Sequence, residues 1–371
     1  MDREVISQKI DLVVDRLMAL GGADYAKDKM ADSGNRFTGL IERDFGIEEW
    51  DWPQGLGLYG LIKCLQGKKH NRYMEFLDHW FQRNIALGLP SKNINTIAPY
   101  LALLPLSELT GNQIYRQMCT ERAEWLMNTL PRTKYEVFQH VTSAFGDRNG
   151  VNLHDGEIWV DTLVMAVLFL NQAGCKLGRP EYSQEALYQY LSHIKYLFDR
   201  SNSLIHHGWT FHGNNNFGGV YWCRGNAWFT YGIPCLLADS DDSISPGIFR
   251  YLVNTWKAQV DTLVSLQDHN GLWHTVLDDP ASYCEVSGSS AIAAGILKGI
   301  HLGILDSSYL PTAELAISAV CDNIAADGTV LNVSAGTGIG MNADHYKNIV
   351  IKPMAYGQSL AILALTEALE G

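Results

Sequence analysis

In segment 154–165, one carboxylate, Asp161, lies inside a predicted helix whose other residues are apolar on every side. A helix that is apolar all round is normally buried. Burial makes a charged carboxylate costly unless it is paired, hydrogen-bonded or protonated, and acid/base catalysts often occupy such settings. Asp161 is therefore a candidate catalyst. The alternative is structural, because an Asp in the first turn of a helix commonly accepts hydrogen bonds from backbone N–H groups.

An arginine between two tryptophans holds the corresponding place in the next apolar helix, at Trp222, Arg224 and Trp228. A guanidinium can grip a carboxylate through two parallel hydrogen bonds while neighbouring rings stack on a sugar. His207, in the preceding loop, could bond a substrate hydroxyl or carboxylate. This pattern favours a site for an anionic sugar. The alternative is an arginine that is paired with a structural carboxylate.

Other kinds of site find less support in the sequence. Histidines 140, 154, 206, 207 and 212 lack the spacing of metal ligands, and no His-Glu-x-x-His motif is present. The glycine-rich run 336–340 has no predicted strand before it and no helix directly after it, which favours a mobile rim loop over a phosphate loop. We therefore expect neither a metal nor an organic cofactor.

Helical periodicity predicts twelve helices that position these residues. Six are apolar and rich in small residues, near 53–67, 97–110, 158–174, 222–239, 286–303 and 354–369. Six amphipathic helices alternate with them, near 3–20, 70–87, 112–130, 181–199, 245–267 and 308–325. The starts of the last five apolar helices are 61, 64, 64 and 68 residues apart, which indicates a repeated helical hairpin. We predict an all-α protein, a single (α/α)6 barrel domain over 1–371 with an inner and an outer ring; an open solenoid is the alternative.

Long connections lead into the inner helices, at 131–157, 200–221, 268–285 and 326–353, and they are rich in Gly, His, Asn and Trp. Loops longer than about 12–15 residues are usually functional. All of them should emerge at the end of the barrel where the inner helices begin, and helix N-termini favour anions. The sequence therefore predicts a cleft for an anionic ligand at that end.

Composition excludes several partners. The net charge is −12 and there is no Lys/Arg run, which argues against nucleic acid. Seven scattered cysteines without a Cys-x-x-Cys motif favour reduced thiols. The N-terminus lacks the pattern of a signal peptide, and no apolar stretch approaches the roughly 20 residues of a membrane span. We expect a cytoplasmic monomer or homodimer without a membrane partner.

Together these segments resemble the unsaturated rhamnogalacturonyl hydrolases of glycoside hydrolase family 105 and, more distantly, the unsaturated glucuronyl hydrolases of family 88. The Trp-x-Asp-Thr and Arg-Gly-Asn-x-Trp motifs, in this order and spacing, carry most of the resemblance. The matching segments are 52–55, 159–165, 207–209, 222–228, 282–287 and 356–358.

The resemblance implies an (α/α)6 barrel and a lyase-generated oligosaccharide substrate that ends in a uronate with a C4=C5 double bond. Asp161 would match the family's catalytic acid/base. Asn95 stands where relatives carry an assisting Asp, and since an amide cannot titrate, any helper role would be a hydrogen bond. The substrate-binding residues would be Trp52, Asn95, Trp159, Met165, His207, Trp222, Arg224 and Trp228.

The chemistry implied is hydration of the double bond by one carboxyl group. Burial should raise the pKa of Asp161, so that its acid form exists near neutral pH and donates a proton to C4. Two alternatives remain open. A sugar 2-epimerase on the same fold would need paired histidines, for which His207, His274 and His345 are candidates, and a carbohydrate-binding protein would need no catalyst.

Overall fold

The computed structural model of the protein describes residues 2–22, 45–67, 71–144, 147–240 and 244–370. Within them lie twelve helices of ten or more residues, as the periodicity predicted. The amphipathic ones are α1 (Arg3–Met18), α3 (Asn71–Ala86), α5 (Gln113–Asn128), α7 (Pro180–Leu197), α9 (Pro246–Leu266) and α11 (Leu310–Asp322). The apolar ones are α2 (Trp52–Gly67), α4 (Tyr100–Thr110), α6 (Leu168–Leu177), α8 (Cys223–Asp239), α10 (Val286–His301) and α12 (Ala355–Glu370).

The six apolar helices form a closed inner ring. Each packs against the next in chain order, and α12 packs against α2, which completes the circle. The amphipathic helices pack outside them, as α3 does by burying Tyr73, Leu77, Trp80 and Phe81 while its other face meets solvent. The predicted (α/α)6 barrel is confirmed, and the open solenoid is excluded because the ring closes.

Small residues allow the inner helices to approach one another closely. A Cβ atom on Gly295 of α10 would lie 2.4 Å from the carbonyl oxygen of Thr230 in α8. A Cβ on Gly60 of α2 would lie 2.3 Å from the Ser359 hydroxyl of α12. Neither distance is sterically possible, so these contacts require glycine. The small-residue content of the apolar helices therefore follows from ring packing.

The long connections carry three short antiparallel strand pairs that the periodicity did not predict. They are β1 (Val141–Ser143) with β2 (Val151–Leu153), β3 (Glu157–Trp159) with β4 (Gly208–Thr210), and β5 (Trp273–His274) with β6 (Cys284–Glu285). Strand β3 occupies the start of the predicted helix 158–174. The predicted first residue of that helix was therefore wrong by about one turn. The β3–β4 pair links the connection before α6 to the connection before α8.

All seven cysteines lie in the described residues, and none of them forms a disulfide. Among the residues for which coordinates are described, no helix is both long enough and apolar enough to cross a bilayer. The acidic run at 239–243, whose sequence predicts a solvated turn, lies partly outside the described residues.

A buried histidine in α7 gives a stability prediction. His193 donates from Nδ1 to the Gln189 carbonyl oxygen at 2.8 Å, and burial outweighs its contacts with the backbone of Gln189 and Trp159 and lowers its pKa from 6.5 to about 4. Between these pH values the unfolded chain binds a proton that the folded chain excludes, so the free energy of unfolding should fall as pH drops through this window. The full loss is about 3 kcal/mol, at 1.36 kcal/mol per pKa unit.

Urea denaturation at pH 7.5 and pH 4.5 tests this expectation. His193→Gln should lose part of the acid sensitivity of the wild type, whereas His269→Gln should not, because the His269 side chain is 93% exposed. Equal pH dependence in the wild type and His193→Gln would contradict the assignment.

Candidate active site

A cavity opens where the inner helices begin. Its walls are Trp52, Asn95, His140, Thr142, Trp159, Asp161, Met165, Trp222, Arg224 and Thr337. Seven of the nine residues that the sequence nominated are among them. The other two, His207 and Trp228, contact Asp161 directly. The structure therefore brings the whole predicted set together at the predicted end of the barrel.

Asp161 is positioned by the β3–β4 pair. Residue Trp159 lies opposite Gly208 in the register, and the Val160 N–H donates to the His207 carbonyl oxygen at 2.9 Å. The chain then turns into the helix, and Asp161 lies in its first turn, just before a π-helical turn at Leu163–Val167. Such turns are rare and often occur at functional sites. This backbone arrangement sets Asp161 beside His207.

The Asp161 carboxylate has two side-chain neighbours. Oδ1 accepts a hydrogen bond from Trp228 Nε1 at 3.1 Å, and Oδ2 lies 3.0 Å from His207 Nε2. That second distance suits an ion pair, but the two atoms are not aligned as a hydrogen bond. Among the described residues no backbone N–H group bonds this carboxylate, so the structural alternative considered above is not what holds it. Oδ2 is buried and has no hydrogen-bond partner among the described residues.

The sequence-based expectation of a raised Asp161 pKa is wrong. Burial raises the pKa, but interactions with His207 and, to a smaller extent, with His140 and Arg224 together outweigh burial and lower the pKa. Apolar neighbours in the sequence gave no sign of these partners, since His207 lies in the connection before α8 and Arg224 lies on α8. Asp161 is therefore a carboxylate in the free protein at neutral pH.

Aromatic rings line the cavity beside this carboxylate. Trp159 stacks on His140 with ring centroids 4.1 Å apart, and burial holds the pKa of His140 well below its usual value. His207 packs against Trp222 at 4.4 Å, and its Nδ1 atom lies 2.8 Å from the Tyr346 hydroxyl. His206 instead stacks on Tyr221 with ring centroids 4.8 Å apart, so the two adjacent histidines have different neighbours.

Arg224 is fully buried in the cavity wall between Trp222 and Tyr356. Its Nη1 atom donates to Ser334, to the Ser334 carbonyl and to Ser287, and Nη2 donates to the Ala335 carbonyl at 2.8 Å. The guanidinium therefore cannot give a substrate carboxylate the expected two-point grip without leaving these partners. Its Nε atom has no partner among the described residues.

The structural carboxylate opposite Arg224 is Glu285, which the sequence did not nominate as a site residue. Its Oε1 atom lies 3.7 Å from Arg224 Nη1, and both side chains are fully buried. Glu285 also caps α10, accepting from the backbone N–H groups of Ser287 and Gly288, and it accepts from the Ser334 N–H at 2.9 Å. This pair ties the starts of α8 and α10 to the connection before α12.

Asn95 and Trp52 lie on the side of the cavity formed by the first two inner helices. Asn95 begins a short 3-10 turn, Asn95–Ile97, and is half-buried at the cavity surface. Trp52 begins α2 and stacks on Tyr356 with centroids 4.7 Å apart. An amide thus stands where the resemblance implied an assisting carboxyl group.

Three cavity residues were not nominated: His140, Thr142 and Thr337. All three lie in connections whose length did signal function, at 131–157 and 326–353, but no motif marked the individual residues. Thr337 belongs to the glycine-rich run 336–340, which lies at the rim as predicted; its mobility stays a prediction.

Two clusters among the described residues have the composition of metal ligands, Asp268 with His274 and Cys284, and His301 with Glu367 and Glu370. Neither lines the cavity. Lys298 already pairs with Glu367 at 2.9 Å, and His274 is held by the Ser282 carbonyl oxygen and Asp268. His274 therefore does not face a sugar together with His207, as an epimerase would require.

The mouth of this (α/α)6 barrel combines one carboxylate, stacked aromatic rings and a buried cation. This combination is typical of enzymes that act on carbohydrates. Residues 27–370 match Glycosyl Hydrolase Family 88. The chain belongs to this family and is a glycoside hydrolase.

Individual relatives agree with this assignment. The chain is 32% identical over 333 residues to the unsaturated rhamnogalacturonyl hydrolase YesR of Bacillus subtilis (strain 168). The match covers 89% of this chain and 93% of that protein. It is also similar to two crystal structures of possible members of the GH105 family. That from Salmonella enterica serovar Paratyphi A has 36% identity, a TM-score of 0.89 and coverage of 100% and 95%. That from Klebsiella pneumoniae has 36% identity, a TM-score of 0.88 and coverage of 100% and 94%. The predicted resemblance is confirmed.

Proposed function

We propose that this enzyme removes the unsaturated (Δ4,5) uronyl residue from the non-reducing end of lyase-generated oligosaccharides, with unsaturated galacturonyl-rhamnose as the favoured substrate. The name of the Bacillus subtilis relative supports this substrate class. The observation that carries the proposal is the cavity itself, because Asp161 is the sole carboxylic acid among the described residues that line it.

A single carboxyl group separates this reaction from ordinary glycoside hydrolysis. Retaining and inverting glycosidases use two carboxyl groups, about 5–5.5 Å or about 6.5–9.5 Å apart, to attack the glycosidic bond. Hydration of a vinyl ether needs one group that gives a proton and then takes one back. Asn95, the polar neighbour across the cavity, cannot act as a second acid or base.

In the proposed reaction, Asp161 in its acid form donates its proton to C4, and positive charge develops at C5 and the ring oxygen. The Asp161 carboxylate then accepts a proton from the water that attacks C5. The resulting hemiketal opens, and the bond to the next sugar breaks with release of that sugar. One water is consumed, Asp161 regains its proton, and no metal or organic cofactor takes part.

The lowered pKa of Asp161 means that protonation must accompany substrate binding. A bound uronate brings a second negative charge next to Asp161 and excludes water, and both changes favour the acid form of a carboxyl group. We infer that the free carboxylate takes up its proton as the substrate binds. Positioned acid/base catalysis of this kind contributes about 10²–10⁴-fold in rate.

The other cavity residues would bind the sugar. Trp52, Trp159 and Trp222 offer ring faces and edges for the pyranose, with Met165 beside them, and Asn95 offers an amide to a hydroxyl. Trp228 and His207 would hold the Asp161 carboxylate in place. Arg224 would favour the uronate through its buried positive charge rather than through a direct two-point contact.

A matched pair of disaccharides tests the proposal. The enzyme should abolish the ultraviolet absorbance of unsaturated galacturonyl-rhamnose and release rhamnose, whereas the saturated disaccharide, which lacks the C4=C5 bond, should remain intact. Cleavage of both at similar rates would indicate direct glycosidic attack and overturn the proposal. Unsaturated disaccharides from other lyases, run in parallel, would define the preferred uronate and leaving sugar.

We further propose that residues 1–371 act as one catalytic domain, in the cytoplasm, as a monomer or homodimer. The absence of disulfides among the seven cysteines, all of which lie in the described residues, supports a reducing compartment. Sedimentation equilibrium would decide the oligomeric state.

A further inference from the structure

Tyr346 lies behind His207, on the side of the ring away from Asp161. It belongs to a one-turn helix, Ala343–Lys347, in the connection before α12, and its side chain is buried. Its hydroxyl oxygen lies 2.8 Å from His207 Nδ1 and accepts a hydrogen bond from the Gly340 N–H at 2.9 Å. The ring also packs against Trp222 with centroids 5.7 Å apart. Tyr346 therefore joins the rim run 336–340 to the histidine beside Asp161.

The direction of these hydrogen bonds indicates which ring nitrogen of His207 bears a proton. A backbone N–H group can only donate, so the Tyr346 oxygen is the acceptor toward Gly340. The phenolic oxygen could accept a second hydrogen bond, but His207 Nδ1 is the one atom among the described residues within reach of the Tyr346 proton, so in the neutral ring Nδ1 accepts that proton and bears none of its own. In the neutral ring the remaining proton resides on Nε2, the atom 3.0 Å from Asp161 Oδ2. The opposite tautomer would set a nitrogen lone pair against a carboxylate and leave the buried tyrosine proton without an acceptor.

We infer that Tyr346 is a positioning residue, which holds His207 in the Nε2–H tautomer and thereby keeps an N–H donor directed at the Asp161 side of the cavity. The assignment of this tautomer does not depend on the proposed function. The catalytic value of the tautomer does rest on the proposed function. An Nε2–H group beside Oδ2 stabilises the carboxylate that remains after Asp161 has given its proton to C4.

The same helix turn holds the rim from a second point. His345 Nε2 lies 2.6 Å from the Thr337 hydroxyl and 3.2 Å from the Gly338 carbonyl oxygen, and Thr337 lines the cavity. His345 and Tyr346 thus grip one rim segment on both sides of Gly338. The correct His207 tautomer is consequently coupled to the rim being in place, since displacement of Gly340 would release the hydrogen bond that orients the tyrosine.

Tyr346→Phe tests the inference, because it removes one oxygen and preserves the ring that packs against Trp222. We expect kcat to fall about 10-fold to 100-fold, a part of the acid/base contribution, with KM changed less than about 3-fold. Tyr283→Phe is the matched control. Tyr283 donates to the Tyr346 backbone carbonyl at 3.3 Å and does not contact His207, so its variant should keep kcat within about 2-fold of the wild type.

A spectroscopic measurement separates positioning from a general structural effect. Long-range ¹H–¹⁵N correlation spectra of histidine-labelled protein at about pH 8, where a histidine ring is ordinarily neutral, report which ring nitrogen bears the proton. His207→Gln assigns the signal. The wild type and Tyr283→Phe should show Nε2–H, and Tyr346→Phe should show an Nδ1–H population.

Three results would overturn the inference: an Nδ1–H ring in the wild type, an unchanged tautomer in Tyr346→Phe whatever its kcat, or a changed tautomer with wild-type kcat. The spectra need no substrate. If the enzyme failed to act on unsaturated disaccharides, they would still decide the tautomer, and that failure would count against the proposed function alone.

Discussion

Asp161→Asn should lower kcat by about 10²–10⁴-fold or more and leave the substrate bound, because an amide has almost the shape of a carboxylic acid but cannot exchange a proton with C4 or with water. The Asn oxygen can still accept the hydrogen bond from Trp228, so the local structure should persist. The substitution also removes a negative charge beside the substrate carboxylate. We therefore expect the dissociation constant of the unsaturated disaccharide to stay the same or to decrease.

Two measurements are needed for this prediction. Absorbance of the double bond gives turnover, and titration calorimetry with the same disaccharide gives affinity. Asp155→Asn is the matched control, since Asp155 lies six residues earlier and its side chain is 69% exposed in a pair with His212. Turnover near the wild-type level in Asp161→Asn would remove Asp161 from the reaction. Loss of binding with partial turnover would make it a substrate ligand instead.

Arg224→Met should lower the free energy of unfolding by about 3–5 kcal/mol, the cost of breaking a buried ion pair by removing one partner. The Arg224 guanidinium and the Glu285 carboxylate are both fully buried, and the arginine also satisfies Ser334 and the Ala335 carbonyl. Methionine fills much of the same volume but leaves Glu285 without a counter-charge. The loss should therefore exceed that of an ordinary surface substitution several-fold.

Urea denaturation measures this loss, with Arg72→Met as the control. Arg72 pairs with Asp15 on the surface, where side chains are 60% and 54% exposed, and such pairs contribute about 0–1 kcal/mol. The double variant Arg224→Met with Glu285→Gln should cost less than the sum of the two single variants, because the neutral amide needs no counter-charge. If Arg224→Met were no more destabilising than Arg72→Met, Arg224 would have no structural role and would act only in substrate binding.

The barrel could be predicted from the sequence because its two rings have different compositions. Inner helices such as α10 are apolar and contain the glycines and serines that ring packing requires, whereas outer helices such as α3 are amphipathic. The end of the barrel that carries the site followed from loop length. The strands could not be predicted in the same way. Glu157–Trp159 is three residues long and is followed almost at once by helix, so periodicity assigned its last two residues to the helix.

The composition of the site was predictable, but its electrostatics were not. Asp161 and His207 are 46 positions apart, and only the β3–β4 register shows that they meet. Glu285 is 61 positions from Arg224 and looks like a helix cap in the sequence, which it also is. Because the sequence did not reveal these partners, burial alone determined the expected pKa shift of Asp161, and the direction of that shift was wrong. Residue types at helix starts predict which groups share a cavity, whereas their protonation depends on contacts between connections.

One regular helix could not both direct Asp161 into the cavity and keep its orientation in the ring, and the π turn after Asp161 separates these two requirements. In this turn the Leu168 N–H donates to the carbonyl oxygen of Leu163, five residues earlier, so the chain holds one residue more than an α-helical turn would. Each residue of an α-helix advances the side-chain direction by about 100°, from 3.6 residues per turn. The extra residue therefore shifts the angular phase of Asp161 relative to Leu168–Leu177. The catalytic group can face the cavity while the rest of the helix keeps the azimuth that its neighbours in the ring demand.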